Sequence, residues 1–280
     1  MLWTELRHEE FAPAREASKG VCLLPIGCIE KHGQHLPIGT DAFAVAHIAR
    51  LVGEKEPVMV FPEMYFGEKT GAGEFDGTVI FSARLRLDIL KETCKEIARN
   101  GFKKILILNG HGGNAAMISY FVRSVLEEKN DYMVYAFRGV PMNRYCNVVL
   151  ENNYDYLTDE DKEILRDFIV SKKPLGHGCF VETATAYGLY PELIRLDKMT
   201  AEDGHSSRRF AEVSAHGIDS PFEWMADYPN SYTGEAHPIN ERIARAFVDV
   251  GVEKLVEAVK FLKTETITDE YHAEWLAKQK

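Results

Sequence analysis

The chain has no CxxC pair, no cluster of basic residues, no phosphate-binding glycine loop and no apolar run long enough to cross a bilayer. Its five cysteines (Cys22, Cys28, Cys94, Cys146 and Cys179) are odd in number, as expected of reduced thiols rather than a disulfide framework. Acidic residues outnumber basic ones by 43 to 33, for a formal charge of −10, and the tightest basic pairs are only Lys103-Lys104 and Arg208-Arg209. Such a surface repels phosphate backbones, so nucleic acid is excluded as a partner. The longest apolar stretches, Val21–Ile26 and Ile105–Leu108, fall far short of the roughly 20 residues of a membrane span. The opening MLWTELRHEEF places charges where a signal peptide needs its apolar core, so a cytoplasmic location is expected. With 45% hydrophobic and 27% charged residues, general disorder is excluded as well.

What is present alternates. VCLLPIG (21–27) reads as a buried strand, and DAFAVAHIARLVG as a helix capped by Thr40 or Asp41 and closed by Gly53. VMVFPEMYFG (58–67) is strand-like until Pro62 interrupts it, and TVIFS (78–82) reads as a short β-branched strand. A helical pattern from Leu87 to Arg99 stops at Asn100-Gly101. KKILILNGHGGN (103–114) is the clearest strand-to-loop signal, followed by a helix over 115–128 and a strand over 132–137. Residues 141–176 break the rhythm as an insertion holding one charged helix after Thr158, suited to a lid or to a surface or subunit contact. Helices over 179–189 and 236–262 follow. Strands separated by helices predict an α/β fold with a mainly parallel sheet, and no linker or repeat divides 1–280 into more than one domain.

Candidate metal ligands concentrate where strands end. Cys28-Ile29-Glu30-Lys31-His32 follows the first strand, Asp41 opens the next helix, and His111 lies in the glycine-rich loop after strand 105–108. In open α/β sheets such loops face one crevice. Glu30 and His32, two apart in an extended loop, point the same way, and oxygen with imidazole donors suits zinc, manganese or iron. A carboxylate such as Asp41 can bridge two cations, and two ions about 3.5–4 Å apart can activate a water at neutral pH. Gly110, Gly112 and Gly113 strip side chains from around His111 and allow close approach of a substrate. In HGCFVET, Glu182 falls on the first turn of a helix and can reach the same crevice, while His177 is placed to relay a proton.

LPIGCIEKHGQHLPIGTD (24–41), ILNGHGGN (107–114) and HGCFVETATAYGLYPELIRLD (177–197) resemble, in order, the three signature blocks of the creatininase (creatinine amidohydrolase) family. The resemblance implies an α/β sandwich with a mainly parallel sheet flanked by helices and two divalent metal ions per subunit. It implies ligands at Glu30, His32, Asp41 and His111, with Asp41 as the bridge, and commonly a homohexamer. Members that open creatinine carry an aromatic residue and then a metal-binding glutamate after the histidine matching His111, and here those positions are Gly112 and Gly113. Glu182 is the natural substitute, and creatinine itself is not the expected substrate. The GHGGN sequence is similar to a branch whose members open other bonds, including formamides, peptides and a C–C bond of an oxidised inositol ring. The expected function is hydrolysis of a small cyclic amide or formamide by metal-activated water, with ring-opening of a ketocyclitol such as 3-dehydro-scyllo-inosose as the alternative. A non-catalytic metal- or sugar-binding protein is the reading from another class.

FGEKTGAGEF (66–75) and WMADYPNSYTGE (224–235) are expected to line the specificity pocket, with Lys69, Gly112, Tyr228 and Tyr232 as substrate contacts. Tyrosine and amide groups of the second stretch suit a polyhydroxylated ligand. His35 is expected to support its neighbours rather than bind metal, and His47 to be packed or solvated. His205, His216 and His237 lie outside the signature blocks, and Cys28 is not required by the oxygen–nitrogen ligand set.

Overall fold

Six consecutive buried residues form β1 (Val21–Ile26), and the rest of the fold is arranged to cover both its faces. The computed structural model describes residues 1–279. After α1 (His8–Ala17) and β1 the chain alternates through α2 (Thr40–Lys55), β2 (Met59–Val60), α3 (Ala83–Arg99), β3 (Lys104–Asn109), α4 (Asn114–Ser124) and β4 (Met133–Phe137). The helical second half comprises α5 (Tyr145–Asn152), α6 (Asp159–Val170), α7 (Phe180–Leu189), α8 (Ala211–Ala215), α9 (Glu223–Asp227), α10 (Glu241–Leu262) and α11 (Ile267–Lys278). The strands form one parallel sheet in the order β2-β1-β3-β4, with Val21 opposite Lys104 and Ile26 opposite Asn109.

Period-two alternation sends side chains to opposite faces. Cys22, Leu24, Ile26, Ile105 and Ile107 meet Leu90, Ile97, Ile118 and Phe121 from α3 and α4. Val21, Leu23, Leu106 and Leu108 meet Val45, Ala49 and Val52 of α2 and Val252, Leu255 and Val259 of α10. The α/β fold with helices on both faces of a parallel sheet matches the expectation. The chain leaves β1 toward β2 and leaves β3 toward β4, in opposite directions along the sheet, so the loops after β1 and β3 flank a switch point where such folds place their sites.

The 141–176 segment supplies α5 and α6, whose Val149, Leu165 and Phe168 pack with Phe180 of α7 and Phe247 of α10 in a third apolar cluster. Phe168 lies against Phe180 at 4.6 Å between ring centres, so α6 buttresses the helix that carries Glu182. Residues 78–82 are a correction to the sequence reading. They form no strand, and Ser82 instead caps α3 by accepting from the Leu85 amide. Strand β2 is cut to two residues, because Pro62 lacks the amide that a longer ladder needs. Helices α1 and α11 carry no clear sequence signal, α1 because Pro13 sits inside it. No helix among the described residues is long and apolar enough to cross a membrane.

The site is fixed by close contact between backbones. A Cβ on Gly27, just past β1, would lie 2.4 Å from the Ala42 amide nitrogen and 2.5 Å from the Asp41 carbonyl carbon, so only glycine lets the first turn of α2 meet the strand end. Gly27→Ala is expected to lower unfolding stability by about 3 kcal/mol, the upper part of the usual overpacking range. Gly112→Ala, whose Cβ meets nothing within 4 Å, should stay within about 0.5 kcal/mol of the parent. Urea unfolding of the two variants checks both values.

Candidate active site

The loop after β1 folds back on itself, with the Glu30 amide donating to Ile38 O at 2.9 Å, and so returns the chain to α2 with Asp41 facing Glu30. The Gly110 amide donates to Ile26 O at 2.8 Å and draws the loop after β3 to the same place. His32 Nδ1 lies 3.1 Å from the Glu30 carbonyl, which takes its proton and turns Nε2 toward Asp41 Oδ1 at 2.9 Å. From the other side His111 Nδ1 lies 2.8 Å from Asp41 Oδ2 and 2.9 Å from Glu30 Oε1. Asp41 thus presents one carboxylate oxygen to each histidine. Glu182, on the first turn of α7, accepts the Gly178 amide at 2.6 Å and places Oε2 4.0 Å from His32 Nε2. Three groups of donors result, Cys28–Glu30–Asp41–His111, His32–Asp41–Glu182 and Glu30–His32–His177, with the atoms of each group within 4.8 Å of one another and Asp41 common to the first two.

Gly113 leaves the space beside His111 free of a side chain. A Cβ there would lie 2.5 Å from His111 Nε2 and 3.0 Å from Glu68 O, so a glutamate at this position would push His111 off its carboxylates. Gly112 is exposed, with open space around it.

Glu30, His32, Asp41 and His111 are almost wholly buried, so their charges must be matched locally. Burial opposes charge on Glu30, but the hydrogen bond from His111 and the fields of His177 and His32 prevail and bring it to about 2. Burial likewise disfavours ionised Asp41, yet His32 and His111 hold it well below the carboxylate range. The same contacts overcome burial at His32, raised to about 9 chiefly by Asp41, and at His111, raised to about 10 by Asp41 and Glu30. The protonated rings thus supply the positive charge these carboxylates require, and a divalent cation would supply it equally well. Glu182 is pushed up to about 7 by burial. Burial and the charge on His32 lower His177 to about 3, so it is a neutral ring.

His177 is held by paired backbone bonds to Thr233, at 3.3 and 2.7 Å. Its Nε2–H donates to Lys31 O at 2.7 Å, and the ring lies 4.0 Å centre to centre from His32 with the planes tilted by 35°. A neutral imidazole protonated at Nε2 carries its lone pair on Nδ1. Lys69, from the 66–75 loop, is buried with its ammonium 2.5 Å from Glu30 Oε2, an ion pair without hydrogen-bond angles. Trp224 on α9 stands edge-on to His177 at 5.7 Å, lies 5.6 Å from the Lys69 ammonium and packs on Tyr228 at 4.7 Å. Sequence reasoning took in the stretch containing Trp224 without singling it out, and a tryptophan beside expected pocket residues was the available signal. Tyr232 lies deeper than expected. It is 2% exposed, packs against His35 and leaves its hydroxyl unpartnered, which makes it a wall behind the site. His35 clamps the first block to the third through Gly178 O at 3.1 Å and Thr183 Oγ1 at 2.9 Å. His47, His205 and His216 are exposed, and His237 packs between Phe168 and Phe180.

These protonation states give metal-free protein a distinctive pH response. His32 and His111 hold their protons more tightly when folded, so their stabilisation is complete below pH 6.5 and is lost as pH rises through about 9 and 10. His35 and His177 are buried neutral and cost stability as pH falls from 6.5 toward about 4 and 3. Glu182, held protonated, subtracts stability as pH rises from 4.5 to about 7. The melting temperature of chelator-treated protein is therefore expected to peak near pH 6.5 and to fall toward pH 9. Added divalent metal should remove the alkaline decline by replacing those protons. A melting temperature that keeps rising above pH 7 without metal would contradict the assignment.

The profile of the creatininase family (creatinine amidohydrolase) matches residues 4–259. A creatinine amidohydrolase of Pseudomonas putida is 25% identical over 204 residues, covering 70% of this chain and 74% of its own. A 3-dehydro-scyllo-inosose hydrolase of Thermotoga maritima is 22% identical over 254 residues, covering 85% and 76%. A solved creatininase structure in a form described as Mn superposes with a TM-score of 0.72 at 19% identity, covering 94% of this chain and 99% of that one, which shows a shared fold. With the family profile spanning nearly the whole sequence, the chain belongs to the creatininase family of hydrolases.

Proposed function

We propose that this hydrolase binds two divalent cations, one at Glu30, Asp41 and His111 and the other at His32, Asp41 and Glu182, and uses them to cleave a C–N bond of a small cyclic amide or formamide. The observation that carries the reading is the division of Asp41, whose Oδ2 faces His111 at 2.8 Å and whose Oδ1 faces His32 at 2.9 Å. When bound, such cations supply Lewis acidity, polarising a carbonyl and lowering the pKa of water. The fit rests on the donors themselves: buried carboxylate and imidazole groups on rigid strand ends and a helix first turn, already drawn together.

The chain's own residues do the rest. The carbonyls of Glu30 and Lys31 fix the orientation of His32 and His177. His177 Nδ1 accepts the proton released as water adds to the carbonyl and passes it to the leaving nitrogen. Trp224 and Tyr228 offer a flat wall to a ring, and the Lys69 ammonium beside Trp224 would offer a donor to an electron-rich substrate oxygen. Exclusion of water by this wall strengthens every charge interaction at the site. A second reading, opening of an oxidised cyclitol at a C–C bond, is favoured by the 3-dehydro-scyllo-inosose hydrolase, which aligns with 85% of the chain. The same proton would then go to carbon.

Elemental analysis is expected to find two metal ions per chain in the parent and neither held by Asp41→Asn. His177→Ala should keep both ions and lose about 100-fold or more in turnover, the scale of a positioned proton carrier. A chelator-controlled screen over cyclic amides, formamides and ketocyclitols supplies the substrate for that assay. Full metal content in Asp41→Asn contradicts the bridge, full turnover in His177→Ala contradicts the relay, and metal binding without turnover of any compound favours a binding protein.

A further inference from the structure

The cysteines divide by surroundings. Cys22 and Cys94 lie in the apolar cluster under α3, and Cys146 and Cys179 in the cluster around α7 and α10. Cys28 is equally buried, yet its sulfur faces charged oxygen, 3.1 Å from Asp41 Oδ2 and 3.4 Å from Glu30 Oε1. Together with His111 Nδ1, these four atoms lie within 4.8 Å of one another. The thiol and the imidazole bring one proton each to this group, and the His111 proton is already shared between Asp41 Oδ2 at 2.8 Å and Glu30 Oε1 at 2.9 Å. Glu30 is fully buried, and its second oxygen makes no hydrogen bond, with the Lys69 ammonium at 2.5 Å and His177 Nε2 at 3.4 Å as its close neighbours. Four donor atoms on one point, two of them carboxylate oxygens, form a cation site in which sulfur is the fourth member.

The geometry points to Cys28 as a sulfur donor to the cation held by Glu30, Asp41 and His111, which presupposes the pair of cations proposed above. Coordination replaces the S–H bond with a metal–sulfur bond and releases that proton to solvent. The two halves of the site then differ in kind. The Cys28 half has four protein donors, the closed arrangement of structural zinc sites, and its soft sulfur favours zinc or cobalt over manganese. The half formed by His32, Asp41 and Glu182 has three donors, all nitrogen or oxygen, and keeps a position open for water or substrate. Exchange of substrate ligands thereby falls to the second half.

Cobalt(II) reads this directly, because a thiolate ligand adds a charge-transfer band in the near ultraviolet that nitrogen and oxygen ligands do not give. The full chain loaded with cobalt is expected to show that band beside the visible ligand-field bands. Cys28→Ser should lose the charge-transfer band while elemental analysis finds cobalt still bound, and its preference should shift from zinc toward manganese. Cys28→Ala serves the same comparison if the serine variant does not fold. Bound cobalt without the band in the parent, or a band that survives in the folded variant, overturns the sulfur donor and leaves the pair of cations standing. Failure of the parent to bind cobalt, zinc or manganese overturns both.

Discussion

Everything at the site hangs on how closely the first turn of α2 approaches the end of β1. Gly27 permits the contact, and the contact sets Asp41 between two histidines from different loops. Moved outward by the width of a methyl group, Asp41 would meet neither well. The charge arrangement follows from that placement: buried carboxylates on one point demand positive charge, and His32 and His111 rise in basicity because they provide it. The strand ends supply rigidity, since β1 and β3 are covered on both faces and pair along their whole length. Rigid supports of this kind hold ligand geometry better than free loops do.

The helical second half closes the arrangement from the other side. Helix α7 delivers Glu182, and its position is set by α6, α10 and the aromatic packing of Phe168, Phe180 and Phe247. His35 and the bond from His177 Nε2–H to Lys31 O tie this half to the first loop. Gly113 carries no side chain where His111 takes up the space that a Cβ would need.

Much of this was legible in sequence. The unbroken apolar runs of β1 and β3 mark strands buried on both faces, and they place Glu30, His32 and His111 after strand ends and Asp41 at the next helix start, facing one crevice. The residues that escaped are those whose role depends on tertiary placement. TVIFS has strand propensity but joins no ladder: its Val79 amide donates to Ile29 O in the loop after β1, and Ser82 caps α3. Tyr232 looked like a pocket residue and is wall, whereas Trp224 faces His177 from a five-residue helix that no periodicity announces. The pairing of Lys69 with Glu30 joins loops that only the fold brings together. Oxygen and nitrogen donors complete a ligand set in the sequence without Cys28, and only distances reveal its sulfur among them.

The central claim is that two cations flank one carboxylate, and anomalous diffraction from crystals grown with zinc or manganese tests it most directly. The account predicts two anomalous peaks on either side of Asp41, one reached by Glu30 and His111 and the other by His32 and Glu182. A single peak, or peaks away from Asp41 with these side chains turned apart, would contradict it.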